Sequence, residues 1–326
     1  MNFFFVTKEH SDLADNKSLI LYAVRQELLK YEFNRVVDDP SKADIILIEE
    51  AFSYKDFRHI SKLLADPIIF NYFTKVFTIN NDDSAVGFLK GLYTNIAKSR
   101  IDKDIHVSVP YIKFYNELVF SEKYQNNNPE YIASWRGNDK SNSIRSTLIN
   151  VLKGQKGCIL ESTDSWLNHK HDEKEKYINI IISSKFSLCP SGWGPASFRI
   201  YESMALGRCP VIIADEFVPP NGPDWAEFAL FFPEKNIINL YEFLKKNESD
   251  YDRLGAKAKE IWYAHYGSEM IVEHYVEGLM TLIGKNSSGN YSIEIATNRW
   301  RSIKFYWINK WTIPQRIANK IKRIMN

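Results

Sequence analysis

Cysteine is scarce in this chain: Cys158, Cys189 and Cys209 are the only three in 326 residues, they lie far apart, and no Cys-x-x-Cys pair occurs. That spacing signals neither a disulfide framework nor a zinc site, and fits a reducing compartment. Long apolar runs are missing too. The start Asn2-Phe3-Phe4-Phe5-Val6 is stopped by Lys8 and Glu9, too short for the core of a secretory signal, and no stretch approaches the roughly 20 apolar residues of a spanning helix. The chain is therefore expected to stay in the cytosol. Net charge is nearly absent: 42 Lys and Arg against 40 Asp and Glu leave +2, which argues against a surface built throughout for nucleic acid. What is present is a globular composition, 44% apolar, 14% aromatic and 25% charged. It can bury a large core, at a length that suggests two domains or one large one.

Short apolar runs alternate with segments of helical length and period, the pattern of strands and helices around parallel sheets. Strands are expected at residues 2–6, 43–48, 75–79 and 105–109, then at 131–134, 157–160, 186–189 and 210–214. An amphipathic helix is expected over 17–31, with Leu21, Val24, Leu28 and Leu29 on one face, and further helices at 143–153, 173–184 and 196–206. Two halves of similar rhythm read as two Rossmann-like domains. Residues 120–130 are polar and contain Pro129, so the boundary is placed there. This gives a first domain over 1–125, a second over 126–284, and a basic segment over 285–326.

The most informative stretch runs from Ser184 to Asp215 and parses as strand, Gly-rich loop, helix, Gly cap, strand. Gly192 and Gly194 let the backbone approach a ligand closely, and Pro195 suits the first turn of a helix beginning near Ala196. The N-terminus of that helix would turn free N–H groups toward the loop, an anion site most naturally for a diphosphate. Ser197 and Arg199 would offer a hydroxyl and a guanidinium to phosphate, and Glu202, one turn on, could accept both hydroxyls of a ribose. The plainer alternative is an Arg199–Glu202 surface pair on an ordinary helix, with glycines that only shape a turn.

The whole stretch resembles the signature of the exostosin family, glycosyltransferase family 47. The matching residues are Cys189-Pro190, the loop Ser191 to Pro195, Ser197-Phe198-Arg199, Tyr201-Glu202 and Gly207-Arg208-Cys209-Pro210-Val211-Ile212. Weaker family features follow in order: Pro40-Ser41-Lys42-Ala43-Asp44, Asn80-Asn81-Asp82-Asp83, Trp135-Arg136-Gly137 and Ile144-Arg145. The resemblance spans about residues 1 to 280. It implies a GT-B fold, two Rossmann-like domains facing a cleft with 1–125 on the acceptor side and 126–284 holding the donor, and inverting transfer from a nucleotide-sugar donor to a glycan. One departure is Ser191, where many family members carry a basic residue.

An inverting transfer must neutralise the leaving nucleoside diphosphate and usually supplies a base to the acceptor hydroxyl. The first task falls to the helix N-terminus with Ser197 and Arg199, aided by Arg136 and Arg145, which follow an expected strand of the second domain. Each arginine could equally be a surface residue. For the base, His10 follows the first strand, Glu49 and Glu50 the second, Asp82 and Asp83 the third. His10 and the Asp82–Asp83 pair are preferred, against a solvated histidine and helix-capping carboxylates. No cofactor or metal is expected. Asp102-Lys103-Asp104 follows polar residues and reads as a turn, and His169-x-His171 beside Asp172 reads as a solvated loop.

Residues 295–326 hold eight Lys and Arg and no acid, which leaves −6 for the first 294 residues. The segment also carries Trp300, Trp307 and Trp311, and Pro314 can open a last helix with Ile317, Ile321, Ile324 and Met325 on one face. That composition suits the headgroup region of an anionic membrane; the alternative is a helix packed back on the first domain. The preferred reading is a cytosolic glycosyltransferase, peripheral at the inner face of the plasma membrane, extending a lipid-linked glycan in capsule or O-antigen synthesis. The alternatives are a nucleotide-sugar epimerase or hydrolase with the same diphosphate site, or an inactive partner subunit.

Overall fold

The computed structural model describes residues 1–15, 19–53, 58–83, 85–111, 116–124, 128–164, 170–267, 270–285 and 291–303. The chain divides into two compact units, Met1–Val107 with Val276–Asn326, and Ser108–Tyr275. All eight expected strands are present, together with strands at Arg35–Val36, Lys90–Tyr93 and Leu230–Phe231, which the sequence pattern did not mark.

The first unit is built on a six-stranded sheet of β1 (Asn2–Val6), β2 (Arg35–Val36), β3 (Ile45–Glu49), β4 (Val76–Asn80), β5 (Lys90–Tyr93) and β6 (His106–Ser108), in the order β2-β1-β3-β4-β5-β6. The runs NFFFV and IILIE are apolar at almost every position because a parallel sheet between helices is buried on both faces. Phe4, Val6, Ile46 and Ile48 join the core on one face, with α2 (His59–Ala65) and α3 (Pro67–Asn71) supplying Ile60, Leu63 and Ile69. Asp66 caps α3, accepting the N–H groups of Ile68 and Ile69 at 3.0 Å, and Pro67 takes the first helical position. On the other face α1 (Leu19–Leu28) buries Leu21, Val24 and Leu28. The expected Leu29 lies beyond the helix and is exposed, because it falls on the outer side.

Strand β5 reads poorly as a strand because it opens with Lys90 and Gly91. Lys90 is nonetheless buried, donating to the Thr74 carbonyl at 2.6 Å and lying 4.3 Å from the Phe77 ring centroid, and desolvation pulls its pKa down to about 8. Gly91 has φ +154°, and a Cβ there would lie 2.1 Å from the Thr78 carbonyl oxygen, so only glycine lets β5 reach β4.

The second unit holds β7 (Tyr131–Gly137), β8 (Cys158–Ser162), β9 (Ser184–Pro190), β10 (Cys209–Ile213) and β11 (Leu230–Phe231), all parallel, in the order β11-β10-β9-β7-β8. Its helices are α4 (Ser143–Leu152), α5 (His171–Ile182), α6 (Phe198–Ala205), α7 (Leu240–Lys246) and α8 (Tyr251–Ile261). Both sheets share one topology: the second strand lies outside the first, and the third returns to the first strand's other side. That reversal opens a crevice at the carboxyl ends of β1 and β3 in one unit, and of β7 and β9 in the other. Two doubly wound parallel units are the composition of the GT-B class.

Two expected boundaries move. The polar residues 120–130 do not separate the units, and the division falls at Val107/Ser108. The reason is packing. Lys123 and Tyr124 bind Glu175 of α5 at 2.9 and 2.8 Å, and Val119 is buried, so this apparent linker is part of the second unit. Nor does the chain leave the first unit after residue 285. After α9 (Ile271–Lys285), the helix α10 (Ile293–Arg301) belongs to the first unit, with Tyr291 and Ala296 in its core and Trp300 packed against it. Arg299 forks onto the carbonyls of Gly87 and Arg100, each at 2.6 Å. The helix expected after Pro314, with Trp307 and Trp311, lies outside the described residues. Among those described, no helix is long and apolar enough to cross a membrane.

Candidate active site

The crevice between β7 and β9 gathers most of the donor-site residues expected from the sequence. Its floor is Trp135, fully buried near the end of β7, with the guanidinium carbons of Arg145 and Arg199 at 5.8 and 5.5 Å from its ring centroid. Arg145 reaches across from α4. Its Nε donates to the Ser191 carbonyl at 3.0 Å and one terminal nitrogen to the Asn138 carbonyl at 2.9 Å. A Cβ on Gly192 would lie 2.6 Å from another terminal nitrogen of Arg145, so the guanidinium lies directly against the loop. Asn142, the cap of α4, also binds that loop, donating to the Gly192 carbonyl at 3.0 Å. The loop closes on itself through the Gly192 N–H and the Gly194 carbonyl at 2.9 Å.

Helix α6 begins at Phe198, two residues later than expected, because the Ser197 hydroxyl caps it by accepting the Arg199 N–H at 3.3 Å. Pro195 therefore belongs to the loop. At the other end Gly207, with φ +67°, closes the helix as expected: its N–H binds the Met204 carbonyl and that of Arg208 the Ser203 carbonyl. Arg199 is buried, donating to the backbone carbonyl of Arg136 and, through Nε, to the Tyr177 hydroxyl at 3.3 Å. Glu202 is 1% exposed. One of its oxygens accepts the Asn116 N–H at 2.6 Å and the other the Tyr177 hydroxyl, so Arg199 and Glu202 are neither a surface pair nor an open ribose clamp. Burial raises the Glu202 pKa against the lowering pull of those bonds and of Arg199, and burial likewise drives the Tyr177 pKa far up.

The side chains of Arg136 and Ser191 are also engaged within the protein. Arg136 is buried between Glu161, at 3.4 Å, and Glu173. The Ser191 hydroxyl donates to Glu234 at 2.5 Å. Of the expected set, Arg145 and the backbone of Gly192 and Gly194 define the loop surface, while Arg136, Ser191, Ser197, Arg199 and Glu202 hold it in shape. Trp135 as floor and Tyr177 as the link between Arg199 and Glu202 were missed. The first was visible only as a neighbour of Arg136, the second not at all. A shallow cavity lined by Tyr131, Ile159, Asn179, Ile180 and Ser183 lies at the amino end of β7, away from this crevice.

In the first unit the base candidates have other tasks. Asp82 is buried and accepts the N–H and hydroxyl of Ser53 at 2.5 and 2.7 Å. Asp83 accepts from the Asn95 amide at 2.6 Å. The exposed His10 takes the Thr7 N–H on Nδ1 at 3.1 Å, which in the neutral ring puts the proton on Nε2. Glu49 binds the Leu21 N–H at 3.1 Å near the start of α1, and Glu50 binds His59 at 2.8 Å and Thr78 at 2.7 Å. Asp102 and Asp104 lie in a turn, joined at 3.1 Å. His171 is exposed at the start of α5, and His169 lies outside the described residues. Among those described, no group of three or more His, Cys, Asp or Glu could hold a metal.

Residues 80–247 match the family model described as the Exostosin GT47 domain. Ribitol-5-phosphate xylosyltransferase 1 of Danio rerio is 29% identical over 118 residues, which cover 34% of this chain and 27% of that protein. A probable glucuronoxylan glucuronosyltransferase of Arabidopsis thaliana is 42% identical over 71 residues, covering 21% of this chain and 15% of that protein. The matched stretches thus span about a quarter or less of these relatives' lengths. Among solved structures, an alpha1,3-fucosyltransferase aligns with a TM-score of 0.45 at 11% identity, covering 91% of each chain. With the family model matched over more than half its length and the loop-and-helix signature folded at the crevice of its second sheet, this chain belongs to the exostosin GT47 family.

Proposed function

We propose that this chain is an inverting glycosyltransferase that moves a sugar from a nucleotide-sugar donor to a glycan, the second unit holding the donor and the first the acceptor. The observation that carries this reading is the loop at Gly192, lying against the Arg145 guanidinium and leading into the capped start of α6. A leaving diphosphate needs fixed positive charge already in place, and the Arg145 guanidinium offers it against this loop at the sheet's switch point. Arg136 and Arg199 support the reading from beneath. They are tied by one hydrogen bond, and Glu161 and Glu173 hold Arg136, so the pair fixes the floor beneath the loop. Family membership supports a sugar nucleotide as the anion's source. The wider setting we favour is a surface polysaccharide on a lipid carrier, at the inner face of the membrane.

Calorimetric titration with UDP-, GDP- and CMP-sugars tests the donor site. One class should bind, and Arg145→Ala should weaken it by about tenfold or more, since a charge-assisted contact to phosphate contributes about 1.5–3 kcal/mol. Wild-type protein that binds none of them would contradict the proposal. The anomeric configuration of the product, read by NMR, tests inversion. Donor breakdown without acceptor at the rate seen with it would point to a hydrolase.

A further inference from the structure

Helix α1 is apolar on two opposite sides. Leu21, Val24 and Leu28 face the sheet and are at most 3% exposed, and the Arg25 guanidinium lies 5.6 Å from the Phe5 ring centroid on that same sheet face. At 100° per residue, Leu19, Tyr22 and Leu29 fall within an arc of about 80° on the far side, with Gln26 among them. They are 71%, 63% and 37% exposed. The chain leaving the helix adds Tyr31 and Phe33, 56% and 85% exposed, before it enters the edge strand β2. Contiguous apolar groups on a surface mark an interaction site where scattered ones do not.

We propose that this outer face of α1, with Tyr31 and Phe33, is the contact between two copies of this chain. Size points to a second copy. With each large aromatic contributing about 150–250 Å² when fully buried, the exposed parts of these five side chains come to about 550 Å² per copy. A pair would therefore bury about 1,100 Å² before any rim contact, close to the roughly 1,200–2,000 Å² of a stable interface.

Charge points the same way. The patch is bordered by the Glu27–Lys30 pair, joined at 2.7 Å, and by Glu32 and Arg35, so both signs are present in balance. A two-fold axis can set the acids of one copy against the bases of the other, whereas an anionic lipid surface calls for an excess of positive charge. Strand β2 pairs through only two residues, too short for the sheets to join edge to edge, so the contact is one of helix on helix.

Sedimentation velocity on the full chain, from about 1 to 100 µM, tests this. The wild type should be dimeric at the upper end. Tyr22→Glu and Phe33→Glu, both at exposed positions, should each give monomer with an unchanged melting temperature. Gln26→Cys, central in the stripe, should cross-link into a disulfide dimer on mild oxidation, while the wild type, with two of its three cysteines buried, should not. Three results would overturn the proposal: wild type that stays monomeric throughout, a dimer that survives both glutamate variants, or a monomer that floats with phosphatidylcholine vesicles through this patch and loses flotation on Tyr22→Glu.

Discussion

The carboxylate of Glu202 accepts the backbone N–H of Asn116 at 2.6 Å, fastening the residues that follow the unit boundary to the helix behind the Gly-rich loop. Glu202 therefore organises the crevice from below. Tyr177 completes the arrangement, donating to Glu202 and accepting from Arg199.

Removing the Tyr177 hydroxyl should expose how far the crevice depends on this link. In Tyr177→Phe a buried carboxylate oxygen loses its donor and a buried guanidinium N–H its acceptor, a cost of about 1–3 kcal/mol in unfolding free energy. Urea denaturation reads that loss, and donor affinity should fall with it because Arg199 is no longer held under the loop. Wild-type stability in this variant would show that neither bond matters.

Acid should weaken the first unit through Glu50. Burial opposes its ionisation, but the bonds from His59, Thr78 and Asn80 outweigh burial and hold the carboxyl below the ordinary glutamate range. A group with a depressed folded pKa contributes stability that is present above its unfolded pKa and lost as pH falls through the folded one. The stability gap between wild type and Glu50→Gln should be constant near neutrality and shrink below about pH 4.5. A gap that does not change down to about pH 3 would refute the assignment.

Two glycines should respond differently to alanine. At Gly255 in α8 a Cβ would lie 2.4 Å from the Gly207 carbonyl oxygen, backbone against backbone, so Gly255→Ala should cost about 1–3 kcal/mol in denaturation experiments. At Gly192 the obstacle is the far end of the Arg145 side chain, which can swing aside. Gly192→Ala should melt within a few degrees of wild type yet bind donor about tenfold more weakly, because the displaced guanidinium leaves the loop.

Helix α10 should prove integral to the first unit. Arg299→Ala leaves the Gly87 and Arg100 carbonyls without their donor and should cost about 1–3 kcal/mol. Ending the chain after residue 285 should do more, since Tyr291 leaves the core and its bond to the Phe88 carbonyl at 2.8 Å is lost. A truncated chain with the wild-type unfolding midpoint would show that α10 is dispensable.

Much of the fold was legible because buried parallel strands demand unbroken apolar runs, and NFFFV, IILIE and CPVII stand out for that reason. Strand β5 did not stand out, since Lys90 is accommodated only by a carbonyl and a ring brought from Thr74 and Phe77. The short β2 and β11 carry two residues each, too few for any period to register. The unit boundary was misplaced for a related reason: Lys123 and Tyr124 look like linker residues until Glu175 of a later helix is beside them.

The amino-acid order alone determined the alternation of strands and helices, the family signature over Cys189 to Ile212, and the loop around which the site is built, because each depends on residues close in sequence. Tertiary structure alone decided which side chains face that loop. Arg136, Arg199, Glu202 and Asp82 all carry the right chemistry for catalysis, but each is engaged by groups from other elements: Glu173, the Arg136 carbonyl, Tyr177 and Asn116, and Ser53. Whether a charged group is a ligand or a brace is set by the partners that burial brings to it, and those partners lie up to 86 residues away in sequence.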